Sequence, residues 1–382
     1  MDDLFCEPTP LIPPTTDDDH LAWLRLIRSY RVGVATFFRL LGEHGSAQAA
    51  LAALPLTARA AGVSDYAPCS VDNARREIAA GDKFGARLVC FGAPDYPKAL
   101  QDIPDPPPVL WALGDTRLLA RPMVALVGAR NASSLGLRMA KKLSEGVADA
   151  GFVVVSGLAR GIDAAAHQAA LSRGTIAVQA GGLDVIYPLE NKVLHDEIAA
   201  HGLRVSEQPM GLDPQSRHFP IRNRIVAGLS QGVVVVEAAS RSGSLLTAKD
   251  AADQGREVMA VPGHPFDARA SGCNMLIRDG ATLVRGSDDI LEALSPRLTA
   301  PLPRRSAAAP VVPRDAPAPR PLKDVSDLHN RILDRLGPSP IAEDQLIRDL
   351  ALPASRLAPE LLDLELEGRI LRQAGGLLSR IN

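Results

Sequence analysis

Residues 124–136, VALVGARNASSLG, combine the features of a strand, a tight turn and the start of a helix. Apolar residues lead directly into Gly128, and a helical spacing of apolar residues begins near Ser134. The first turn of a helix carries unpaired N–H groups and partial positive charge, so this turn predicts an anion site that Arg130 can close. The glycine spacing departs from G-x-G-x-x-G, because the next glycine is Gly136. An ordinary buried strand with a glycine turn remains the alternative.

The composition is that of a globular chain without a strong overall charge. Its 382 residues, 46% of them hydrophobic, suffice for about two or three domains with buried cores. The formal net charge is -2, so any affinity for nucleic acid must come from a local cluster of Arg and Lys. The cysteines Cys6, Cys69, Cys90 and Cys273 form no C-x-x-C pair, which disfavours a metal site and a disulfide framework.

The N-terminal sequence MDDLFCEPTP is acidic and contains proline, unlike a secretory signal peptide. No run approaches the roughly 20 apolar residues that a membrane span requires. The scattered cysteines are also typical of a reducing compartment. We therefore expect a cytoplasmic protein with no membrane span, no metal and no cofactor.

Apolar runs that alternate with helical patterns predict a parallel sheet covered on both faces. The runs after the opening stretch cover residues 151–157, 175–182, 232–239 and 256–263. Two shorter runs, 87–92 and 109–114, precede it and extend the sheet. The predicted fold is α/β, an extended Rossmann-like, doubly wound, mostly parallel sheet at residues 85–295. Such sheets bind ligands beyond the carboxyl ends of their strands.

The N-terminal part is predicted to be a disordered segment followed by helices. Residues 1–17 are rich in proline and acidic residues, which favours disorder. Residues 18–65 show helical periodicity and predict a small helical domain of the SAM or helix-hairpin-helix type, with Asp19 as the first cap. The glycine turn at Gly33 permits contact with a DNA phosphate, and packing or contact with a partner is the alternative.

The C-terminal part is predicted to be a linker and a winged-helix domain. Residues 296–323 are rich in Pro, Ala and Arg, which predicts an extended linker. Residues 324–382 contain three helical patterns and a hairpin about Gly375-Gly376, the order of a winged helix.

The charge of the predicted recognition helix in this domain is unfavourable for DNA. Its acidic residues, Glu360, Asp363, Glu365 and Glu367, are opposed only by Arg356. Because this charge repels a duplex, we expect the domain to contact protein, or DNA only through its wing. The wing residues are Arg369, Arg372 and Arg380.

Residues 217–224, RHFPIRNR, concentrate cations ahead of an apolar helix. Arg217, Arg222 and Arg224 provide forked donors for phosphate, and Phe219 provides a ring on which an exposed base can stack. This combination favours single-stranded nucleic acid. Helix capping or pairing with carboxylates is the alternative.

Two further turns carry polar side chains. Residues 241–244, RSGS, lead into a helix at Leu245 and predict a second anion-binding turn, because no G-x-S-x-G elbow marks a nucleophile.

Asp163 and His167 lie four residues apart, a spacing that permits metal binding or acid–base chemistry. Since no further ligand follows, we expect Asp163 to cap its helix and His167 to be a hydrogen-bonded core residue.

Six segments in this order and spacing resemble the DNA processing protein A family, also called DprA or Smf. They are VALVGARNASSLG, VVSGLARGIDAAAHQAAL, AGGLDVIYPLENK, SEQP, FPIRNRIVAGLS and VVEAASRSGSLLTA. The resemblance covers about Leu88 to Leu294 and implies a homodimer that binds single-stranded DNA during natural transformation, protects it and loads the RecA recombinase onto it. Matching positions imply that the following residues contact DNA: Gly128, Arg130, Lys192, Phe219, Arg222, Asn223, Arg224, Ser242, Gly243 and Ser244.

We therefore expect a DNA-binding protein that is not an enzyme. The alternative is a Rossmann-like nucleotide-processing hydrolase, whose P-G-G-x-G-T-x-x-E loop places a Glu on the sugar. The segment AGGLDVIYP lacks the Thr and the Glu at those offsets. A third possibility is an adaptor that acts only through its winged helix, and its central domain would have no affinity for oligonucleotides.

Overall fold

The computed structural model describes residues 13–60, 65–299, 322–336, 341–350, 352, 357, 361, 364, 369–373 and 377–380. The chain divides into two compact units, Met1–Leu302 and Pro303–Asn382. Most of the predicted disordered segment 1–17 and of the predicted linker 296–323 lies outside the described residues.

Four helices begin the first unit: α1 Asp17–Ile27, α2 Val34–His44, α3 Ala47–Ala60 and α4 Val71–Phe84. Thr16 caps α1, since its hydroxyl accepts a hydrogen bond from the Asp19 amide while the Asp19 carboxylate accepts one from the Thr16 amide. The prediction of Asp19 as the cap was therefore wrong, because the helix starts earlier and Asp19 is its third residue, the partner of Thr16 in a capping box. Asp17 lies inside α1, so the predicted disordered segment is too long at this end.

The helical part of the first unit extends beyond the predicted residues 18–65. Helix α4 packs beside α1, and Glu77 of α4 accepts hydrogen bonds from Arg28, which follows α1, and from the indole of Trp111. The buried core of these helices includes Trp23, Phe37 and Trp111, the last of which comes from the sheet. The helices and the sheet thus share one core.

The first unit is built on a nine-stranded sheet with the order β1-β2-β6-β5-β4-β3-β7-β8-β9. Its strands are β1 Arg87–Cys90, β2 Val109–Gly114, β3 Met123–Val127, β4 Val153–Ser156, β5 Thr175–Val178, β6 Leu203–Ser206, β7 Gly232–Val235, β8 Glu257–Ala260 and β9 Thr282–Leu283. Strands β3 to β9 are parallel, and β2 is antiparallel to both β1 and β6. The predicted doubly wound, mostly parallel sheet is confirmed. Strands β6 and β9 are short and were not predicted.

Helices cover both faces of this sheet. They are α5 Lys98–Gln101, α6 Ser134–Asp149, α7 Ile162–Ala170, α8 Lys192–His201, α9 His218–Leu229, α10 Ser244–Asp253, α11 Ser271–Arg278 and α12 Ser287–Thr299. One core joins the sheet to α6, α7 and α12, and the other joins it to α5, α9, α10 and α11. Helix α12 occupies the first residues of the predicted linker, which therefore begins later than position 296.

The order of the strands places a topological switch at β3. The chain passes from β3 through β4 and β5 to β6 on one side, then returns to β7 on the other side of β3. The turns that follow β3 and β7 consequently diverge, and a crevice opens at the carboxyl ends of these strands.

The second unit contains a hairpin packed on helices. Its elements are α13 Leu322–Arg335, β10 Ile341–Ala342, α14 Glu343–Leu350, β11 Ile370–Gln373 and β12 Leu377–Arg380. Strand β12 pairs with β10 and β11, and Leu357, Leu361 and Leu364 are helical and buried at the spacing of one helix face. The predicted winged helix is confirmed.

The structure describes the three wing arginines but not the charged residues of the predicted recognition helix. Arg369 and Arg380 are exposed, and Arg372 lies on β11. The residues on which the charge prediction depends, Arg356, Glu360, Asp363, Glu365 and Glu367, lie outside the described residues, as does the turn at Gly375-Gly376.

Candidate nucleic-acid interface

A cleft of about 780 Å³ lies at the carboxyl ends of β3, β4 and β7, and we call it the central cleft. Eight of the ten predicted site residues line it: Gly128, Arg130, Phe219, Arg222, Asn223, Ser242, Gly243 and Ser244. Lys192 and Arg224 are absent from its lining. The turns that the sequence separates therefore converge at the switch point.

The backbone around Gly161 holds two of these turns together. Gly161 has a φ of 77°, and a Cβ here would collide with the carbonyl groups of Ala129 and Arg130. The amide of Ile162 donates to the Ala129 carbonyl at 3.2 Å. A glycine is therefore required where the turn after β4 meets the turn after β3.

An aromatic and cationic stack forms one wall of the central cleft. The guanidinium carbon of Arg130 lies 5.0 Å from the centroid of the Phe219 ring, within cation–π range. The centroid of the Tyr187 ring lies 5.5 Å from that of Phe219, and Tyr187 is 46% exposed. Tyr187 was not among the predicted site residues, because no local motif indicated its proximity to Phe219. A recess of about 340 Å³ adjoins the cleft and is also lined by these three side chains.

The carboxylate of Glu237 occupies the N-terminal turn of α6. It accepts hydrogen bonds from the Ser133 amide at 3.0 Å and the Ser133 hydroxyl at 2.6 Å. The same hydroxyl accepts from the Gly136 amide at 2.9 Å. The predicted anion site at this turn was therefore wrong, because the chain supplies its own carboxylate there. Arg130, predicted to close over that anion, stacks on Phe219 instead.

Asp163 fills the turn after β4 in the same way. Its carboxylate accepts from the amides of Gly157 at 3.1 Å and Ala159 at 3.4 Å. It does not cap α7 as predicted, because Gly161 occupies the cap position and Asp163 lies within the first turn. Burial raises the pKa of this carboxyl, and the nearby charge of Arg222 opposes the change.

Arg222 lies beneath the central cleft. It is 6% exposed, donates to the Val178 carbonyl at 2.8 Å, and packs against Gly157 so closely that any Cβ there would collide with the guanidinium. Burial lowers the pKa of this guanidinium to about 10, and the Asp163 carboxylate opposes the shift. The side chain therefore links the ends of β4 and β5 and exposes little of itself to the cleft, and its predicted contact with DNA stays a prediction.

Only one of the two ring nitrogens of the buried His167 has a hydrogen-bond partner among the residues that the structure describes. Its Nδ1 lies 2.7 Å from the Thr175 hydroxyl, while Nε2 has no hydrogen-bond partner within the described part of the chain. Burial lowers the pKa of this imidazole to about 3, and the charge of Arg222 adds to the effect. His167 is thus neutral in the folded protein at neutral pH.

Arg224 lies away from the central cleft. Its guanidinium donates to Glu207 at 2.6 Å and lies 2.9 Å from the carboxylate of Asp105. Two residues along a helix differ by about 200° in direction, so Arg222 and Arg224 cannot face the same ligand. Arg224 therefore does not line the central cleft, where it was predicted to contact DNA.

Two arginines that sequence reasoning did not select line the central cleft, namely Arg241 and Arg269. Arg241 lies in the predicted RSGS turn, so the motif contained a signal for it. Arg269 follows β8, and its Nε forms an ion pair with the Asp267 carboxylate at 3.2 Å. The Ser242 and Ser244 hydroxyls bond each other at 2.7 Å. Lys192 begins α8 and is exposed outside the cleft.

The charge of the cleft is strongly asymmetric. Four arginines line it, and Asp163 is the one acidic residue among the described residues that do so. Within the same described ranges, no group of His, Cys, Asp or Glu has the arrangement of a metal site. No helix found there is long and apolar enough to cross a membrane. The arrangement suits an extended anionic ligand with stackable rings.

Family models match most of this chain. The model described as DNA recombination-mediator protein A matches residues 87–295. A DprA-like N-terminal HHH domain matches residues 17–80, and a DprA winged helix domain matches residues 316–376. The matches reproduce the order of helices, sheet and winged helix.

Known proteins show the same relationship. Protein Smf of Synechocystis sp. is 38% identical over 311 residues, covering 74% of this chain and 77% of the relative. DNA processing protein DprA of Bacillus subtilis is 44% identical over 225 residues, covering 58% and 76%.

Two solved structures also match. The X-ray structure of DprA from Streptococcus pneumoniae has 41% identity and a TM-score of 0.55, covering 61% of this chain and 84% of that one. A Helicobacter pylori DprA structure, described by its single-stranded DNA binding mode, has 32% identity and a TM-score of 0.51, covering 55% and 97%. Together with the family models, these matches show that the chain belongs to the DNA processing protein A (DprA/Smf) family.

Proposed function

We propose that the central cleft binds single-stranded DNA and that the protein processes incoming DNA in natural transformation. The observation that carries this proposal is the cation–π contact of Arg130 with Phe219, next to Tyr187, in a cleft lined by arginines. Each unpaired base has a ring face that can stack on an aromatic side chain, and the phosphates between bases require cations.

A single strand fits this arrangement better than a duplex. The ring faces in a duplex already stack on one another, so Phe219 and Tyr187 would have little to bind. The net charge of -2 also argues against general attraction to duplex DNA. Binding therefore depends on the local arginines and the aromatic wall.

We propose three partners: single-stranded DNA, a second copy of this chain and RecA. A Helicobacter pylori relative is described by its binding of single-stranded DNA, which supports the same ligand here. The family resemblance further implies a homodimer and the transfer of the strand to RecA, and we propose both for this protein. In that role it protects internalised DNA in the cytoplasm.

The polar groups in the central cleft and in the turns that border it favour binding over catalysis. The Glu237 and Asp163 carboxylates are both engaged by backbone amides, and the Ser242 and Ser244 hydroxyls bond each other rather than a histidine. A hydrolase needs a carboxylate or base free to act on its substrate. We therefore propose that the protein is not an enzyme and that the nucleotide-processing alternative does not apply.

Titration of the full chain with matched single-stranded and duplex oligonucleotides at several salt concentrations tests the proposal. Each neutralised phosphate of a single strand contributes about -0.7 to the slope of log affinity against log salt. We expect preference for the single strand and a steep slope. Equal affinity for the duplex, or release of free base from nucleoside monophosphates, would contradict the proposal.

A further inference from the structure

A second depression of about 580 Å³ opens from the central cleft between α6, α7 and α8, and we call it the α6–α8 trough. Arg130 and Asn131 line both depressions. The trough is lined further by Leu137 and Lys141 of α6 and by Val193 and Glu197 of α8. A polymer that leaves the central cleft past Arg130 therefore enters this trough directly.

The α6 side of the trough carries free positive charge. Lys141 lines the trough, is exposed, and forms no ion pair with the part of the chain that the structure describes. Arg138, three residues earlier on α6, is also exposed but lies outside the lining. Residues at this spacing lie on the same side of a helix. Two other basic groups of these helices are neutralised, because Arg160 pairs with Glu190 and Arg173 pairs with Asp149.

The α8 side of the trough is apolar where α8 begins. Val193 lines the trough and is 70% exposed. Leu189, which precedes α8, is 72% exposed and lines the recess beside the central cleft. Lys192 lies between them in sequence and is also exposed. Such apolar side chains do not attract phosphate, but they offer contact area to the flat faces of bases.

We propose that single-stranded DNA continues from the central cleft into the α6–α8 trough, with Lys141 on its phosphates and Val193 against its bases. The proposal rests on the proposed function of the central cleft and extends it to a second binding segment. Continuity at Arg130 and Asn131, together with the unpaired Lys141 on the α6 wall, favours an anionic polymer over a protein partner.

Glu197 opposes this path from one helical turn beyond Val193. It lines the trough, and its carboxylate repels a phosphate that passes nearby. Glu190 contributes less repulsion because Arg160 lies 3.3 Å from it. Removal of the charge of Glu197 should therefore strengthen binding of any strand that enters the trough.

The test compares two lengths of labelled oligothymidylate on the full chain. Single-strand binding folds typically cover roughly 4–16 nucleotides. Strands of about 5 and about 15 nucleotides lie near the two ends of this range. The short strand fills the central cleft, and the long one also reaches the trough. Variants Lys141→Ala and Glu197→Gln report on the trough, and Lys83→Ala on the exposed face of α4 is a charge-matched control.

We expect Lys141→Ala to weaken binding of the long strand about two- to fivefold and to make its salt slope less steep by about 0.7, with no change for the short strand. Glu197→Gln should tighten binding of the long strand by a similar factor, and Lys83→Ala should change neither. The proposal is overturned if Lys141→Ala resembles the control, or if it affects both lengths equally. A wild-type chain that binds neither strand would instead refute the proposed function.

Discussion

The carboxylate of Glu237 binds the amide and hydroxyl of Ser133, at 3.0 and 2.6 Å, across 104 positions of sequence. This contact ties the end of β7 to the start of α6 on both sides of the switch point. It also fills the helix N-terminus that would otherwise attract a phosphate.

Glu237→Ala should expose that anion site and destabilise the fold. The variant loses hydrogen bonds to a charged group, which are worth about 1.5–3 kcal/mol, and the free energy of unfolding in urea should fall by that order. Sulfate should then raise the melting temperature of the variant more than that of the wild type, because the α6 terminus is free to bind it. An equal response to sulfate in both proteins would show that the turn binds no anion.

Phe219→Ala and Arg130→Ala should both weaken binding of single-stranded DNA. Loss of one stacking platform costs about 1–3 kcal/mol, so Phe219→Ala should lower affinity by roughly 5- to 150-fold with little change in salt slope. Arg130→Ala should make that slope less steep by about 0.7. Fluorescence anisotropy at several salt concentrations measures both effects.

Arg117→Ala is the matched control for Arg130→Ala. Arg117 is 89% exposed and follows β2, whose carboxyl end lies beside the start of β6 at the opposite edge of the sheet. Its removal should leave affinity and slope unchanged. Equal losses in the two arginine variants would indicate general charge attraction rather than a site.

Glu207→Ala should destabilise the protein without weakening DNA binding by the folded chain. Glu207 and Asp105 neutralise the buried Arg224, and loss of one partner from such a pair costs about 3–5 kcal/mol. Because Arg224 does not line the central cleft, the affinity of the folded fraction should not change. Urea denaturation and anisotropy on the same preparation separate the two effects. A large loss of affinity in fully folded Glu207→Ala would show that Arg224 contributes to DNA binding.

His167 should make the protein lose stability in acid. Burial lowers its pKa from 6.5 to about 3, so the unfolded chain binds a proton that the folded chain does not between these values. Stability contributed by the neutral imidazole is therefore present above about pH 6.5 and falls as pH decreases, by up to about 1.4 kcal/mol per unit.

The comparison of the wild type with His167→Gln isolates this effect from that of other groups. Urea denaturation between pH 7 and pH 5 should show a shallower decrease in the variant. Parallel pH profiles would mean that the imidazole titrates normally in the folded protein.

Local sequence patterns predicted the fold because each strand and its following turn are adjacent in the chain. The run into Gly128 and the RSGS turn needed only local spacing, and the parallel sheet brought both to one edge. The contact between Glu237 and Ser133 had no local signal, since its partners are distant in sequence.

The separation of Arg222 from Arg224 depends on the rotation of α9, and the adjacency of Tyr187 to Phe219 depends on tertiary packing. Composition and motif spacing fix neither of these. The sequence therefore predicted which turns form the candidate site better than which side chains face it.

The most direct test of the central claim is to find where a bound strand touches the protein. A single-stranded oligonucleotide carrying 5-bromodeoxyuridine, irradiated in complex with the full chain and followed by peptide mass spectrometry, reports the side chains that stack on its bases. We predict crosslinks at Phe219 and Tyr187, lost in the presence of excess unlabelled single strand. Crosslinks confined to the winged-helix unit or to α1–α4 would contradict the account.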